Sequence, residues 1–231
     1  MTKELKGILF DFNGTLFFDS DLHMEAFRQV FPLYGLPVPT DDFMADRCFG
    51  RTNETIFKEN INPNATNADI DEFELRKESV YHKLCLDLPE RFRLVDGAEE
   101  LLDELKARGI PFCLATGSNL LNLNFYIKHM KLDRWFTSKN TVYDDGTYPG
   151  KPAPDIYRLA AGKLSLDPSD CLVFEDGTSG IRAANAAGAG DVVVVYDKCL
   201  DSPITESTRV AEVHHDLLEW RDILARYGIL R

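Results

Sequence analysis

No apolar run in this chain approaches the ~18 residues that a membrane-spanning helix needs, and it has no CxxC pair, no His/Cys spacing suited to zinc, no internal repeat and no low-complexity linker. Cys48, Cys85, Cys113, Cys171 and Cys199 are odd in number and scattered, which points away from a disulfide framework and towards a reduced, cytoplasmic protein. The charged opening from Met1 to Lys6 leads straight into an apolar run, so neither a signal peptide nor a membrane span is expected. Basic residues are outnumbered: 26 Lys plus Arg against 38 Asp plus Glu give a net charge of −12. Such a charge repels polyanions and disfavours nucleic acid or an anionic membrane as partner.

At 231 residues, 44% of them apolar, the chain exceeds one ordinary domain and has ample material for a packed core. Four short apolar runs, at Ile8 to Phe10, Phe112 to Ala115, Cys171 to Phe174 and Val192 to Val195, are near-continuous, as in parallel strands buried on both faces. Helical patterns with suitable caps lie between or after them at Ala98 to Arg108, Asn119 to Met130, Pro154 to Leu164 and Thr178 to Ala187. The alternation predicts an α/β fold with a Rossmann-like parallel-sheet core. Residues 18–94 interrupt it with helical candidates at Leu22 to Tyr34, Asn53 to Glu59 and Ile70 to Leu86 and no convincing strand. They are expected to form an all-helical domain inserted into a core made of residues 1–17 and 95–231. A last strand and helix are expected around His214, His215 and Trp220, without chemistry.

In open α/β sheets ligands sit at the carboxyl ends of the strands, so the residues that follow each apolar run carry the information. The first run ends in Asp11-Phe12-Asn13-Gly14-Thr15. The second ends in Thr116-Gly117-Ser118-Asn119 and the third in Glu175-Asp176-Gly177. Gly150-Lys151-Pro152 precedes the helix that leads to the third. Asp11, Glu175 and Asp176 gathered at one edge would repel one another unless a divalent cation or Lys151 offset their charge. Mg²⁺ suits such a set, being held by a few carboxylates, waters and phosphate oxygens. Thr116, the Gly117 amide, Lys151 and the turn amides near Gly14 then form a phosphate clamp. In-line attack of Asp11 on phosphorus would follow.

These four motifs, in this order, resemble the haloacid dehalogenase superfamily, in particular its small phosphatases and β-phosphoglucomutase-like enzymes with a helical cap after the first motif. The resemblance implies that Asp11 is the phosphoryl acceptor and that Thr116 and Lys151 bind the phosphoryl group. It further implies that Asp11, Asp176 and the backbone carbonyl of Asn13 hold Mg²⁺, with Glu175 helping directly or through water. The substrate would be a small phosphorylated metabolite.

One carboxylate is missing from that pattern. Family phosphatases have Asp where this chain has Asn13, and that Asp protonates the leaving oxygen and later activates water; its loss should cost roughly 3 to 5 kcal/mol of barrier. The exchange is compatible with an enzyme using a good leaving group or a relay elsewhere, with a phosphometabolite-binding or regulatory protein of low turnover, or with a deliberate Asp-to-Asn exchange. The first is favoured. Asn13-Gly14 is also a sequence prone to deamidation, which would restore an aspartate.

Dehalogenase chemistry works without metal and does not need the Glu175-Asp176 pair. Phosphonate cleavage in the superfamily uses a cap lysine three residues after a cap glycine, and here Gly50 is followed at that spacing by Asn53. The sugar phosphate mutase carries an arginine there, so the mutase reading is second to hydrolysis. His23 resembles the mutase's cap-hinge histidine, and Arg51 and Lys77, like Arg47, are cap cations for a distal anionic group. Phe27 and Phe31, at helical spacing, read as cap core rather than as an aromatic cofactor box.

Overall fold

A computed structural model describes residues 4–48 and 51–230. Gly50, the reference point for the cap spacing, lies outside the described residues. The chain divides into two compact units, Met1–Phe18 with Arg93–Arg231, and Asp19–Phe92.

The chain enters on strand β1 (Gly7–Phe10) and then builds helices α1 (Ser20–Val30), α2 (Asp41–Arg47), α3 (Asn53–Asn60) and α4 (Asn67–Asp87). It continues through α5 (Ala98–Arg108), β2 (Phe112–Asn119), α6 (Leu120–Met130), β3 (Thr141–Asp144), α7 (Asp155–Lys163), β4 (Cys171–Glu175), α8 (Thr178–Ala187), β5 (Asp191–Val195), β6 (Glu212–His214) and α9 (Trp220–Arg226). The strands form one sheet in the order β3-β2-β1-β4-β5-β6, with every neighbouring pair parallel. This is the expected α/β, Rossmann-like core.

All four residues of β1 are buried, as are all five of β4 beside it, which accounts for their unbroken apolar character. Leu9, Val173, Val192 and Val194 pack with Ile156 and Tyr157 of α7 and Ile181 of α8 in one core cluster. Gly109 and Gly188, each left-handed, end α5 and α8 where the sequence placed those ends. The Asn119 side chain accepts from the Asn122 backbone N–H at 3.1 Å and caps α6. Because successive strands leave β1 first towards β2 and then towards β4, the strand order reverses there, and the carboxyl ends of β1, β2 and β4 border the crevice in which such sheets bind ligands.

Two elements lack a strong sequence signal. β3 is a four-residue edge strand with two half-buried positions, and its polar end and surroundings, Asn140 before, Asp144 at its end and Asp145-Gly146 after, read as a turn. α2 is seven residues long and is recognisable mainly by its Thr40 cap, whose hydroxyl accepts from the Phe43 N–H at 3.3 Å.

The helical unit has its own core of Phe27, Val30, Phe31, Met44, Ile56, Phe57, Ile70 and Phe73, so Phe27 and Phe31 are packing residues. α4, its longest helix, starts with a reciprocal capping box between Thr66 and Asp69. No helix among the described residues is long and apolar enough to cross a membrane.

That unit also buries charge. Lys77 donates to Glu78 at 2.9 Å, and Asn53 donates to the same carboxylate oxygen at 2.8 Å. Burial opposes ionisation of Glu78, but Lys77, His23 and the Asn53 hydrogen bond outweigh it and lower its pKa to about 2. The unfolded carboxyl protonates near 4.5, so the stabilisation from Glu78 is complete above that pH and is lost as pH falls towards 2. Circular dichroism over stepped pH should show this loss in the chain, and Glu78→Gln, less stable at neutral pH, should lack that part of the acid dependence.

Candidate active site

The turn after β1 is shaped by one glycine. Thr15, Leu16 and Phe17 all donate backbone hydrogen bonds to the Phe12 carbonyl, at 3.2, 2.9 and 3.0 Å. The curl requires φ +84° at Gly14, and a Cβ there would lie 2.0 Å from Oδ2 of Asp176. Only glycine meets both conditions, and its bareness lets the Asp176 carboxylate come up against the loop. Phe12 and Phe17 close the back of the turn against Tyr126 of α6, with ring centroids at 4.8 and 6.1 Å.

Asp11, 6% exposed, emerges from β1 with an amide bonded to the Phe174 carbonyl of β4. Lys151, just before α7, donates to Asp11 Oδ1 and to Glu175 Oε1, both at 2.5 Å. Burial by itself would lower the Lys151 pKa, but Asp11 and Glu175 outweigh burial and raise it, so the ammonium stays charged. The reciprocal effect lowers the Glu175 carboxyl against its own burial.

Both oxygens of Glu175 are occupied. Oε1 takes Lys151 and, at 2.7 Å, the hydroxyl of buried Tyr157; Oε2 takes the backbone N–H groups of Asp176 and Gly177, at 2.8 and 3.0 Å. A Cβ at Gly180, on α8, would sit 1.7 Å from Oε1, so the first turn of that helix is bare to admit this carboxylate. Burial and Glu175 push the Tyr157 phenol well above its usual pKa, and it remains a donor.

Asp11, Glu175 and Asp176 each present an oxygen within 4.8 Å of the others. Three carboxylates against one ammonium leave an excess of negative charge, and an all-oxygen donor set at this spacing suits a hard divalent cation. The Thr15 hydroxyl lies between two of them, 3.4 Å from Asp11 Oδ2 and 3.3 Å from Asp176 Oδ1.

Asn13 faces the loop after β2. Its Oδ1 accepts from Ser118 at 2.7 Å, with the Thr116 hydroxyl 3.5 Å away, and its Nδ2 donates to the Tyr126 hydroxyl at 2.9 Å. Thr116 is buried and its hydroxyl accepts the Ser118 N–H at 3.0 Å, while Gly117 between them is exposed. The strand ends therefore bring Asp11, Asn13, Gly14, Thr116, Lys151, Glu175 and Asp176 to the same edge of the sheet.

Within the helical unit, His23, Asn53 and Lys77 belong to a single cluster. His23 stacks on Tyr81 at 3.9 Å, lies 3.2 Å from Asp19 through Nε2, and has its Nδ1 2.7 Å from the Lys77 ammonium. Lys77 is 3% exposed, held by Glu78 and lying over the rings of Phe27 and Tyr81. Arg51 is exposed and pairs with Glu59.

Thr15, Tyr126 and Tyr157 join the site without a role assigned by the sequence pattern. Thr15 is the hydroxyl beside the glycine of the first motif. The tyrosines carry no local signal, because an aromatic on an amphipathic helix reads as core and their hydroxyls meet partners 113 and 18 residues away.

A family model described as haloacid dehalogenase-like hydrolase matches residues 5–188. The chain is similar to a probable pseudouridine-5'-phosphatase of Drosophila melanogaster, 31% identical over 207 residues that cover 87% of each chain. It is similar also to a fructose-1-phosphate phosphatase of Escherichia coli (strain K12), 30% identical over 84% of this chain and 98% of the relative. The crystal structure of a HAD hydrolase, family IA, variant 3, from Entamoeba histolytica matches with a TM-score of 0.84 and 30% identity, covering 97% of this chain and 98% of that one.

The geometry also bears on deamidation of Asn13. Ring closure needs the Gly14 nitrogen to attack the Asn13 side chain, yet that N–H is bonded to the Phe17 carbonyl at 2.7 Å and the carboxamide is held at both ends. Peptide mass spectrometry should find Asn13 intact after prolonged incubation of the folded protein and deamidated after equal incubation in urea.

Proposed function

Since the chain belongs to the haloacid dehalogenase-like hydrolases, we propose that it is a Mg²⁺-dependent phosphatase of small phosphorylated metabolites, acting through an aspartyl phosphate on Asp11. The observation that carries this reading is the buried Asp11 carboxylate, held by Lys151 at 2.5 Å at the carboxyl end of β1 and grouped with Asp176. Relatives named as phosphatases of pseudouridine 5'-phosphate and fructose 1-phosphate support the substrate class. The helical unit serves in this proposal as the cap that selects the ligand, and the scattered cysteines favour a cytoplasmic setting.

An Asp11 oxygen forms a bond to phosphorus while the bond to the leaving oxygen breaks, taking its electron pair with the leaving group. Lys151 offsets charge on the transferring oxygens, and Thr116 with the Gly117 amide receives the phosphoryl group. Asp11, Asp176 and the Asn13 carbonyl, with Glu175 beside them, would hold Mg²⁺, which supplies charge neutralisation and orients the phosphoryl oxygens. Glu175 holds Lys151 in place through one hydrogen bond and is itself fixed by three others, from Tyr157 and the Asp176 and Gly177 amides. In the second half, water forms a bond to phosphorus and gives up a proton to solvent, the bond to Asp11 breaks with its electron pair returning to the carboxylate, and phosphate is released.

Asn13 has no proton to give and no basic oxygen to receive one, so position 13 gives neither half general acid/base help. Substrates whose leaving group departs without a proton, acyl phosphates and pyrophosphate among them, are therefore favoured in the first half. The same residue supports a second reading, a phosphometabolite-binding protein with little turnover.

Incubation with Mg²⁺ and a panel of phosphomonoesters, acyl phosphates and pyrophosphate separates the two. Release of the leaving group in a single turnover should be fastest on acyl phosphates; steady-state turnover should vanish in Asp11→Asn and should rise by ~10² to 10⁴ on phosphomonoesters in Asn13→Asp. Tight binding across the panel with no turnover in either the chain or Asn13→Asp would overturn the phosphatase reading.

A further inference from the structure

We propose that Tyr126 is the positioning residue for the side chain at position 13, an inference that rests on the phosphatase reading for its catalytic consequence but not for its geometry. The side chain at 13 is gripped from two directions, by the Ser118 hydroxyl on Oδ1 at 2.7 Å and by the Tyr126 hydroxyl on Nδ2 at 2.9 Å. Ser118 belongs to the end of β2, whereas Tyr126 reaches across from α6, 113 residues along the chain from Asn13.

The Tyr126 hydroxyl is held in place by its ring. That ring is fully buried and packs against Phe12 at 4.8 Å, Phe17 at 6.1 Å and Phe125 at 5.9 Å. Phe12 and Phe17 belong to the same turn as Asn13, so turn, ring and hydroxyl form one packed body. The phenol oxygen is thereby placed without a mobile linker, as a group that orients a reacting side chain must be.

Hydroxyls donate as readily as they accept. Tyr126 accepts from a carboxamide at position 13, and by rotating its O–H it donates to a carboxylate there; Ser118 donates to either. The clamp therefore fits asparagine and aspartate alike and holds either against the loop that carries Thr116. Position 13 keeps its aim whichever residue fills it.

The test has a spectroscopic arm and a kinetic arm. Tyr126→Phe keeps the ring and removes the hydroxyl, and its melting curve reports whether the fold is intact; Ser118→Ala probes the opposite end of the clamp if it is not. In the chain, nuclear magnetic resonance should show the Asn13 side-chain NH₂ protected from exchange and shifted from random-coil values, and Tyr126→Phe should remove both features. In an Asn13→Asp background with a phosphomonoester, adding Tyr126→Phe should lower kcat about five- to tenfold, the effect of one hydrogen bond, with KM unchanged. An unaltered Asn13 amide signal together with an unaltered kcat would overturn the proposal. If Asn13→Asp shows no turnover at all, the phosphatase reading fails while the amide signal still decides the role of Tyr126.

Discussion

The candidate site depends on one ammonium group between two carboxylates. Lys151 lies 2.5 Å from Asp11 and 2.5 Å from Glu175, and its side chain is only 12% exposed. Without it, three carboxylates would face one another within 4.8 Å at the edge of a buried sheet. Removing one member of such a buried pair costs about 3 to 5 kcal/mol, because the partner is left charged and unsolvated. The surrounding structure is organised to prevent that. Tyr157 and two backbone amides take up what remains of Glu175, and Gly180 gives the carboxylate room.

The same requirement reaches into the backbone. Asp11, Glu175 and Asp176 converge because β1 and β4 are neighbours in the sheet, in register from Gly7 opposite Cys171 to Phe10 opposite Phe174. A slip of one residue would turn Asp11 away from Lys151 and expose an apolar side chain in its place. The positive φ of Gly14 then lets Asp176 approach the loop more closely than any side chain at that position would allow. Two glycines and a strand register thus do for geometry what Lys151 does for charge.

How much of this is legible in the sequence follows from where each signal resides. The sheet shows because its central strands are buried on both faces, so Ile8 to Phe10 and Cys171 to Phe174 read as unbroken apolar runs. The charged residues show because each directly follows such a run or opens the next helix. β3 does not show, since a short edge strand with two half-buried residues has no pattern that separates it from a turn. Tyr126 and Tyr157 do not show for a different reason. Their rings satisfy the helical apolar period, and the hydroxyls that matter are visible only once α6 and α7 are laid on the sheet. Lys77 is a third case: a lysine on a helix reads as solvated, and its burial is explained by Glu78, His23 and the rings of Phe27 and Tyr81 beneath it.

Asn13 brings these strands of argument together, because it separates architecture from chemistry. Asparagine and aspartate have nearly the same shape, and the hydroxyls of Ser118 and Tyr126 that surround position 13 pair with either. The backbone carbonyl is unchanged by the exchange, and the Lys151 network does not involve the side chain at 13. An amide here therefore leaves the fold, the Lys151 contacts and the acceptor carboxylate of Asp11 as they are, and removes one negative charge and the capacity to carry a proton. On the proposed chemistry, the step affected whatever the substrate is the attack of water on the aspartyl phosphate. There the carboxylate leaves without needing a proton, whereas the incoming water must lose one. A fold built around Lys151 can thus retain its whole binding apparatus while the rate of that one step is set by a single atom at position 13.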